Sequence, residues 1–383
     1  MESAYLYETQ GAVSLSPQEF PLNGGLFGSR FLAEAYSSIS LFPVPQDNTV
    51  GTNDMHNAIT LISFPKGRIS FEKHFKNAVD DIGGGGQYLP VISKDLIGFG
   101  QTRAFVLYDF KKKIHREYTI TTSLAKNIEK VAVADVSHLQ FIFQIEKQNT
   151  SSHDPWDISK VLQLMDLSGE KAKLIKEIPK VNGAIWSVVR DKNFLYDSET
   201  RQLQVYNMNL EPAQHPLADV ILRNKKKADF MVIYAHPNLP FAVLSGGYKG
   251  ATYISWGESR DTTPHLLFRS AHQFSFSPDG KWVTFKDETH DPAKTYLMPV
   301  SEKYPNYLGS PILIFNRYFN ENKFAWTTNP ISFVGSRGEK IYRWDLENQD
   351  FPEKGKMSFH DYIVQKDLEK LTREKRQGLG EKR

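Results

Sequence analysis

One short pattern occurs seven times along the chain and limits the folds open to it. In each copy a bulky or aromatic residue ends a strand-like run, and a turn-prone residue and a turn follow. The turn-prone residues of the seven copies are Pro65, Asp109, Asp166, Asn209, Gly257, Pro299 and Asp345. Successive copies are 44, 57, 43, 48, 42 and 46 residues apart, and a period of about 40–50 residues is typical of β-propeller blades. The spacing predicts an all-β fold, a seven-bladed β-propeller with each turn-prone residue after a third strand.

Too little sequence follows the last repeat to complete a four-stranded blade. Only one short segment lies between Asp345 and the C-terminal tail, whereas a propeller blade has four strands. We therefore expect an N-terminal strand within residues 3–16 to pair next to residues 341–344 and close the propeller, which covers an otherwise free sheet edge. Residues 1–355 are predicted to form this single propeller domain.

The longest gap between repeats, 57 residues, coincides with a polar, turn-rich stretch at residues 147–159. We interpret this stretch as a loop inserted between two strands of the third blade. Loops on a rigid scaffold often carry function, so Trp156 within it is a candidate for binding a ligand or partner. The alternative is that Trp156 packs back onto its own blade.

One blade carries a recognisable motif. Residues 274–285, and within them Ser277-Pro278-Asp279-Gly280-Lys281-Trp282, resemble the repeat of TolB-like propellers. Trp344-Asp345 resembles the dipeptide of WD-repeats, although no Gly-His pair precedes it. TolB-like propellers generally serve as binding platforms, so the resemblance implies a platform, while similar repeats in propeller lyases and peptidases keep an enzymatic alternative open.

Residues 356–383 are predicted to form a basic helical tail, with a short helix over 358–377. Ser358 and Asp361 have the spacing of a capping box. Val364, Leu368 and Leu371 follow one another at helical spacing and form one apolar stripe. We expect the stripe to pack on the propeller; the alternative is that it docks on a partner or an anionic surface.

Sequence motifs for catalysis are missing. The chain has no cysteine, no G-x-S-x-G and no H-E-x-x-H, and the glycines at 83–86 lack the lysine of a phosphate-binding loop. No cofactor and no metal site are predicted, and the leading hypothesis is a non-catalytic platform that binds a protein or presents a ligand. The alternative is a metal-assisted lyase or hydrolase with its site at the central channel, where His236 and His272 are the histidines to consider.

Charge and hydropathy exclude further classes. The 47 basic and 44 acidic residues give a net charge of +3, too balanced to indicate nucleic-acid binding, and the lysine runs 111–113 and 225–227 are interpreted as solvated turns. No stretch reaches the roughly 18 apolar residues of a membrane span, so no transmembrane segment is predicted. A protein is the expected partner. The TolB-like resemblance and the lack of cysteine favour an extracytoplasmic, periplasmic site over the cytoplasm.

Overall fold

The protein is described here by a computed structural model that divides into two compact units. One unit comprises residues 19–225 and 321–343, and the other residues 1–18, 226–320 and 344–383. The residues described are 13–14, 18–21, 40–44, 47–53, 58–64, 68–74, 91–93, 96–100, 104–109, 111–120, 125–148, 158–179, 181, 184–197, 200–224, 232–245, 250–256, 265–268, 271–288, 293–304, 307–316, 324–337, 340–347, 357–359, 361–362 and 364–365.

The first half of the chain forms strands that are mostly antiparallel, because its runs are rich in β-branched and aromatic residues. The strands before the helix are β1 (Val13–Ser14), β2 (Gln18–Pro21), β3 (Ser40–Pro43), β4 (Thr49–Asn53), β5 (Ala58–Ser63), β6 (Arg68–His74), β7 (Val91–Ser93), β8 (Leu96–Gly100), β9 (Ala104–Asp109), β10 (Ile114–Thr119), β11 (Ala125–Asp135), β12 (Gln140–Gln148), β13 (Ile158–Asp166), β14 (Lys173–Ile178), β15 (Ala184–Val189), β16 (Lys192–Asp197) and β17 (Gln202–Asn207). The helix α1 (Pro216–Arg223) follows.

The second half repeats the same hairpin pattern. Its strands are β18 (Val232–Ala235), β19 (Phe241–Ser245), β20 (Ala251–Ser255), β21 (His265–Phe268), β22 (Ala271–Phe276), β23 (Trp282–Asp287), β24 (Lys294–Pro299), β25 (Ile312–Phe315), β26 (Phe324–Trp326), β27 (Ser332–Arg337) and β28 (Lys340–Asp345). Among the described residues, the sheet orders are β3-β4-β5-β6, β10-β9-β8-β7, β11-β12-β13-β14, β15-β16-β17, β18-β19-β20-β21, β1-β25-β24-β23-β22 and β2-β28-β27-β26.

The third strand of each sheet ends where the repeat places it. Strands β5, β9, β13, β17, β20, β24 and β28 end at residues 63, 109, 166, 207, 255, 299 and 345, each within two residues of the predicted position. The repeat therefore locates the third strands correctly, because each of them is followed by a turn that the sequence marks with Pro, Gly, Asn or Asp.

The N-terminal segment contributes to two sheets, and not in the way expected. Strand β2, residues 18–21, lies beside β28, just outside the residues 3–16 in which the closing strand is predicted, and of those residues the structure describes only 13–14. Strand β1 instead pairs in parallel with β25, with Val13 opposite Ile312. Pro21 lacks an N–H, which suits the edge position that β2 takes in its sheet.

Helix α1 is a second departure from the expected pattern of strands. It follows the sheet β15-β16-β17, which has three strands in the described part of the chain. The His215 side chain accepts a hydrogen bond from the Leu217 N–H at the first turn, and Pro216 occupies the first helical position, where its missing N–H costs nothing. Leu217, Val220 and Ile221 are buried, so the helix packs by one apolar face.

Buried aromatic residues between sheets make up much of the core. Phe105 on β9 meets Phe143 on β12 edge-to-face, with ring centroids 5.1 Å apart, and Phe141 lies 5.3 Å from Phe105. All three rings are fully buried. Such pairs contribute about 0.5–1.5 kcal/mol each beyond their apolar area, and they join the sheet of β7–β10 to the sheet of β11–β14.

Candidate functional site

The predicted insertion connects β12 and β13, two of the three longest strands in the described part of the chain. Strands β12 and β13 pair from Gln140 and Asp166 as far as Gln148 and Ile158, so the segment 149–157 connects two strands of one sheet, as the sequence predicts. Trp156 lies outside the described residues, and its role stays a prediction. The register brings the half-buried charged residues of both strands together beside this connection.

One charged cluster on these strands surrounds Lys160. Its ammonium contacts the carboxylate of Glu129 and lies 3.8 Å from that of Glu146. Burial raises the pKa of the Glu129 carboxyl, Lys160 partly offsets this rise, and Glu146 adds to it. The cluster ties β11, β12 and β13 together and leaves little free charge at this end of the sheet.

A second cluster lies around Glu177 on β14. Lys147 Nζ and Gln163 Nε2 each donate to Glu177 Oε2 at 2.6 Å. Burial raises the pKa of the Glu177 carboxyl, but the hydrogen bonds from Gln163 and Lys147 outweigh it and hold that pKa below its usual value. These contacts make the base of the insertion a rigid support, which is what a loop that presents a binding residue requires.

The C-terminal tail begins as a capped, docked helix. Ser358 Oγ accepts a hydrogen bond from the Asp361 N–H at 3.1 Å, which is one of the two bonds of the predicted capping box, and donates to Asp361 Oδ2 at 2.6 Å. Phe359, Asp361, Tyr362, Val364 and Gln365 are helical. Since the Phe359 N–H also donates to the Leu308 carbonyl at 2.8 Å, the start of the helix is fixed to its own unit.

The side chains that dock this helix are not those of the predicted stripe. Phe359 and Tyr362 are 4% and 7% exposed and belong to the core cluster that includes Tyr307, whereas Val364 is 45% exposed. The expectation that the stripe packs on the propeller is therefore wrong for Val364. Leu368 and Leu371 lie outside the described residues. Sequence reasoning missed Phe359 and Tyr362, although their spacing of three residues is a helical signal.

The two histidines considered as metal ligands, His236 and His272, lie near opposite ends of β22. His236 Nε2 lies 2.7 Å from the Gly280 carbonyl oxygen, beyond the last residue of β22, while His272 is the second residue of that strand and lies 3.3 Å from Glu288 Oε2. The structure does not bring them together as metal ligands. Within the described ranges, no three His, Asp or Glu side chains are grouped to hold a metal ion.

His236 has a structural role that its contacts define. The N–H groups of Asn238 and Leu239 donate to its Nδ1 at 3.0 and 2.7 Å. Since Nδ1 accepts twice and a carbonyl oxygen can only accept, Nε2 carries the hydrogen and donates it to Gly280. The ring is buried and stacks on Phe241 with centroids 5.1 Å apart. His236 thus joins the first turn of one sheet to that of the next.

Helices long and apolar enough to cross a membrane were not found in the described part of the chain.

No protein-family model matches the chain, and no curated protein matches it in sequence. Among solved structures it is similar to the β-propeller domain of Myceliophteria thermophila Cps50 (Swd1), with 9% identity, a TM-score of 0.50, and coverage of 86% of this chain and 100% of that one. It is also similar to the WD40 domain of Neurospora crassa Pan2, with 6% identity, a TM-score of 0.54, and coverage of 90% and 98%. The fold is a β-propeller. At these identities the similarity describes the fold alone, and the TolB-like resemblance of residues 277–282 stays a prediction.

Proposed function

We propose that the chain is a non-catalytic β-propeller that binds a protein partner through its C-terminal helix. The observation that carries this proposal is the contrast between the buried anchors Phe359 and Tyr362 and the exposed Val364. Successive helical residues are about 100° apart, so Val364 lies about 140° around the axis from Phe359. The helix is thus held by one face while an apolar residue of another face meets solvent.

The rest of the stripe extends this exposed face in the sequence. Leu368 and Leu371 follow Val364 by four and seven residues, the spacing of anchors on a helix that docks in an apolar groove. The charged residues of this segment are Lys366, Asp367, Glu369, Lys370, Arg373, Glu374, Lys375 and Arg376, five cations against three carboxylates, so the segment is basic. We therefore propose a partner whose groove has an apolar floor and an acidic rim, with residues 356–383 as the docking element.

A stripe substitution tests this proposal. Leu368→Asp should leave the melting curve of the isolated protein unchanged, because the anchoring contacts of Phe359 and Tyr362 remain. The same variant should lose at least one protein that wild type retains at near-stoichiometric amounts in quantitative affinity capture. Leu222→Asp, at an exposed apolar position of α1, should retain that protein. Identical captured sets, or a lower melting temperature of Leu368→Asp, would contradict a partner-binding stripe.

The architecture that would support this helix is also part of the proposal. We infer seven blades in a single domain, residues 1–355, closed by β2. The positions of the third strands and the place of β2 beside β28 support this. Deleting residues 1–21 removes that strand and uncovers the edge of β28, so we expect the melting temperature to fall by a few degrees. The longer deletion also removes β1, so the control is the deletion of residues 1–17, which removes β1 and leaves β2 in place. Equal melting of the two deletions would argue against closure by β2.

A further inference from the structure

Exposed apolar side chains are concentrated at one end of two sheets. The described residues include six large apolar side chains that are exposed, and four of them are Ile114, Val136, Leu174 and Ile175. Ile114 begins β10, Val136 lies in the turn between β11 and β12, and the other two lie at the start of β14. Single exposed apolar residues are ordinary on a protein surface, but a group of them marks an interaction site.

Hydrogen bonds bring the elements that carry these residues next to one another. Tyr118 Oη on β10 donates to the Leu167 carbonyl at 2.6 Å, and Arg116 Nη1 reaches the Ser168 carbonyl at 3.4 Å. The Leu167 N–H in turn donates to the Leu139 carbonyl at 3.0 Å. The turn after β9, the turn after β11 and the turn after β13 therefore lie side by side. We call residues 109–117, 135–140 and 166–175 the apolar–basic patch.

The exposed charges of this patch are mostly positive. Its exposed cations are Lys111, Lys112, Lys113, Arg116, Lys171 and Lys173. The acidic residues of the patch that are exposed are Glu117 and Glu170, and the Asp135 side chain is 41% exposed. Lys112 Nζ lies 3.8 Å from Asp109 Oδ2, but exposed lysines have flexible stems, so these cations can rearrange around an anionic ligand.

The remaining carboxylates of the patch accept hydrogen bonds from residues of their own turns. Asp109 Oδ1 accepts from the Lys112 N–H, and Asp166 Oδ1 accepts from the Ser168 N–H, both at 2.8 Å. Asp135 accepts from Ser137 and His138, and these hydrogen bonds hold the pKa of Asp135 well below its usual range. Hydrogen bonds do not remove the charge of these carboxylates, so the described patch holds five carboxylates and six cations, and its positive excess comes from the exposed lysines and Arg116.

We propose that the apolar–basic patch binds an extended acidic segment of a partner protein, one that carries aliphatic or aromatic residues between its carboxylates. Charge complementarity selects the acidic residues, and the four apolar side chains give contacts that a phosphate backbone could not use. Strands β10 and β14 are the end strands of their sheets in the described part of the chain, so an extended segment can also add main-chain hydrogen bonds. This inference goes beyond the proposed role of the tail and does not depend on it.

The test is an array of short peptides that alternate Asp or Glu with Leu or Phe, with neutral and basic versions of the same sequences. Wild type should bind the acidic set, and fluorescence anisotropy on the best peptide should give an affinity that falls with salt. Leu174→Asp should weaken that affinity at least tenfold. Lys113→Glu should weaken it at low salt and much less at high salt, because exposed charges are screened. Leu222→Asp, outside the patch, should bind as wild type does.

Several results would overturn the proposal. The first is an array in which acidic peptides bind no better than their neutral versions. The second is equal loss of binding in Leu222→Asp and Leu174→Asp. The third is binding of duplex DNA or phosphatidylserine vesicles that is tighter than peptide binding and is lost in Lys113→Glu. Circular dichroism melts of each variant separate loss of binding from loss of folding. None of these results tests the proposed role of the tail, because none of these variants changes residues 356–383.

Discussion

Arg343→Met is expected to lower the free energy of unfolding by about 2–4 kcal/mol, since a buried polar group left without its partner costs about 1–3 kcal/mol. Arg343 is 3% exposed on β28. Its Nη2 donates to Asn48 Oδ1 at 2.8 Å and to Ser332 Oγ at 3.0 Å. Its guanidinium also lies 5.1 Å from the centroid of the Phe64 ring. Methionine fills similar space but satisfies neither oxygen.

The effect should be large because these contacts join the two ends of the chain. Asn48 follows β3 and is 295 positions from Arg343 in sequence, and the Asn48 N–H donates to the Thr328 carbonyl in the same unit. Urea denaturation of wild type and variant gives the difference directly. Arg223→Met, at an exposed position on α1, should change stability by less than about 0.5 kcal/mol. Similar losses in the two variants would show that Arg343 has no special role.

The sequence predicts local features of this fold well and non-local ones poorly. Third-strand ends such as Asp166 and Pro299 are followed by turns whose residues have their own conformational preferences, so spacing alone locates them. The choice of β2 rather than an earlier segment to lie beside β28 depends on pairing across more than three hundred residues, and no local signal records it. The capping of the tail by Ser358 is local and was predictable.

The sequence contains a signal for helix α1, but the regular repeat of strands outweighed it. Pro216 at the first helical position and the apolar residues Leu217, Val220 and Ile221 fit a helix start. The regular repeat favours a fourth strand there, and a helix of eight residues gives only a weak periodic signal against it. Local propensity was correct at this point, and the extrapolated repeat was not.

In both candidate surfaces, some features are visible in the sequence and others depend on non-local contacts. Lys111, Lys112 and Lys113 are exposed, as expected for a solvated turn. The approach of the next strand, β10, to the turn after β13 is non-local and has no signal in the sequence. In the tail, the apolar spacing of Val364 and its successors is visible in the sequence. Which face the helix buries is decided by Phe359 and Tyr362, and hence by the unit on which they pack.

Gly280→Ala is expected to cost about 3 kcal/mol or more, from two additive causes. Gly280 has φ +74°, a left-handed conformation that costs a residue with a Cβ about 1–2 kcal/mol. A Cβ at this position would also lie 2.7 Å from both Cε1 and Nε2 of His236. The ring cannot move away freely, because Phe241 stacks on it and Asn238 and Leu239 donate to its Nδ1.

We expect Gly280→Ala to disturb mainly the contact between the turn after β18 and the turn after β22, so the test is specific to that contact. Gly169→Ala is the matched control: its nearest neighbours would lie 3.7 and 4.0 Å from the new Cβ, so it should be neutral or slightly stabilising. Urea denaturation gives the difference in stability, and NMR of the His236 ring reports whether Nε2 still donates to the Gly280 carbonyl. If Gly280→Ala keeps both wild-type stability and the wild-type imidazole signal, His236 does not hold these turns together. If Gly280→Ala loses both the stability and the imidazole signal of wild type while Gly169→Ala keeps them, the buried His236 ring and the space that Gly280 leaves for it hold these two turns together.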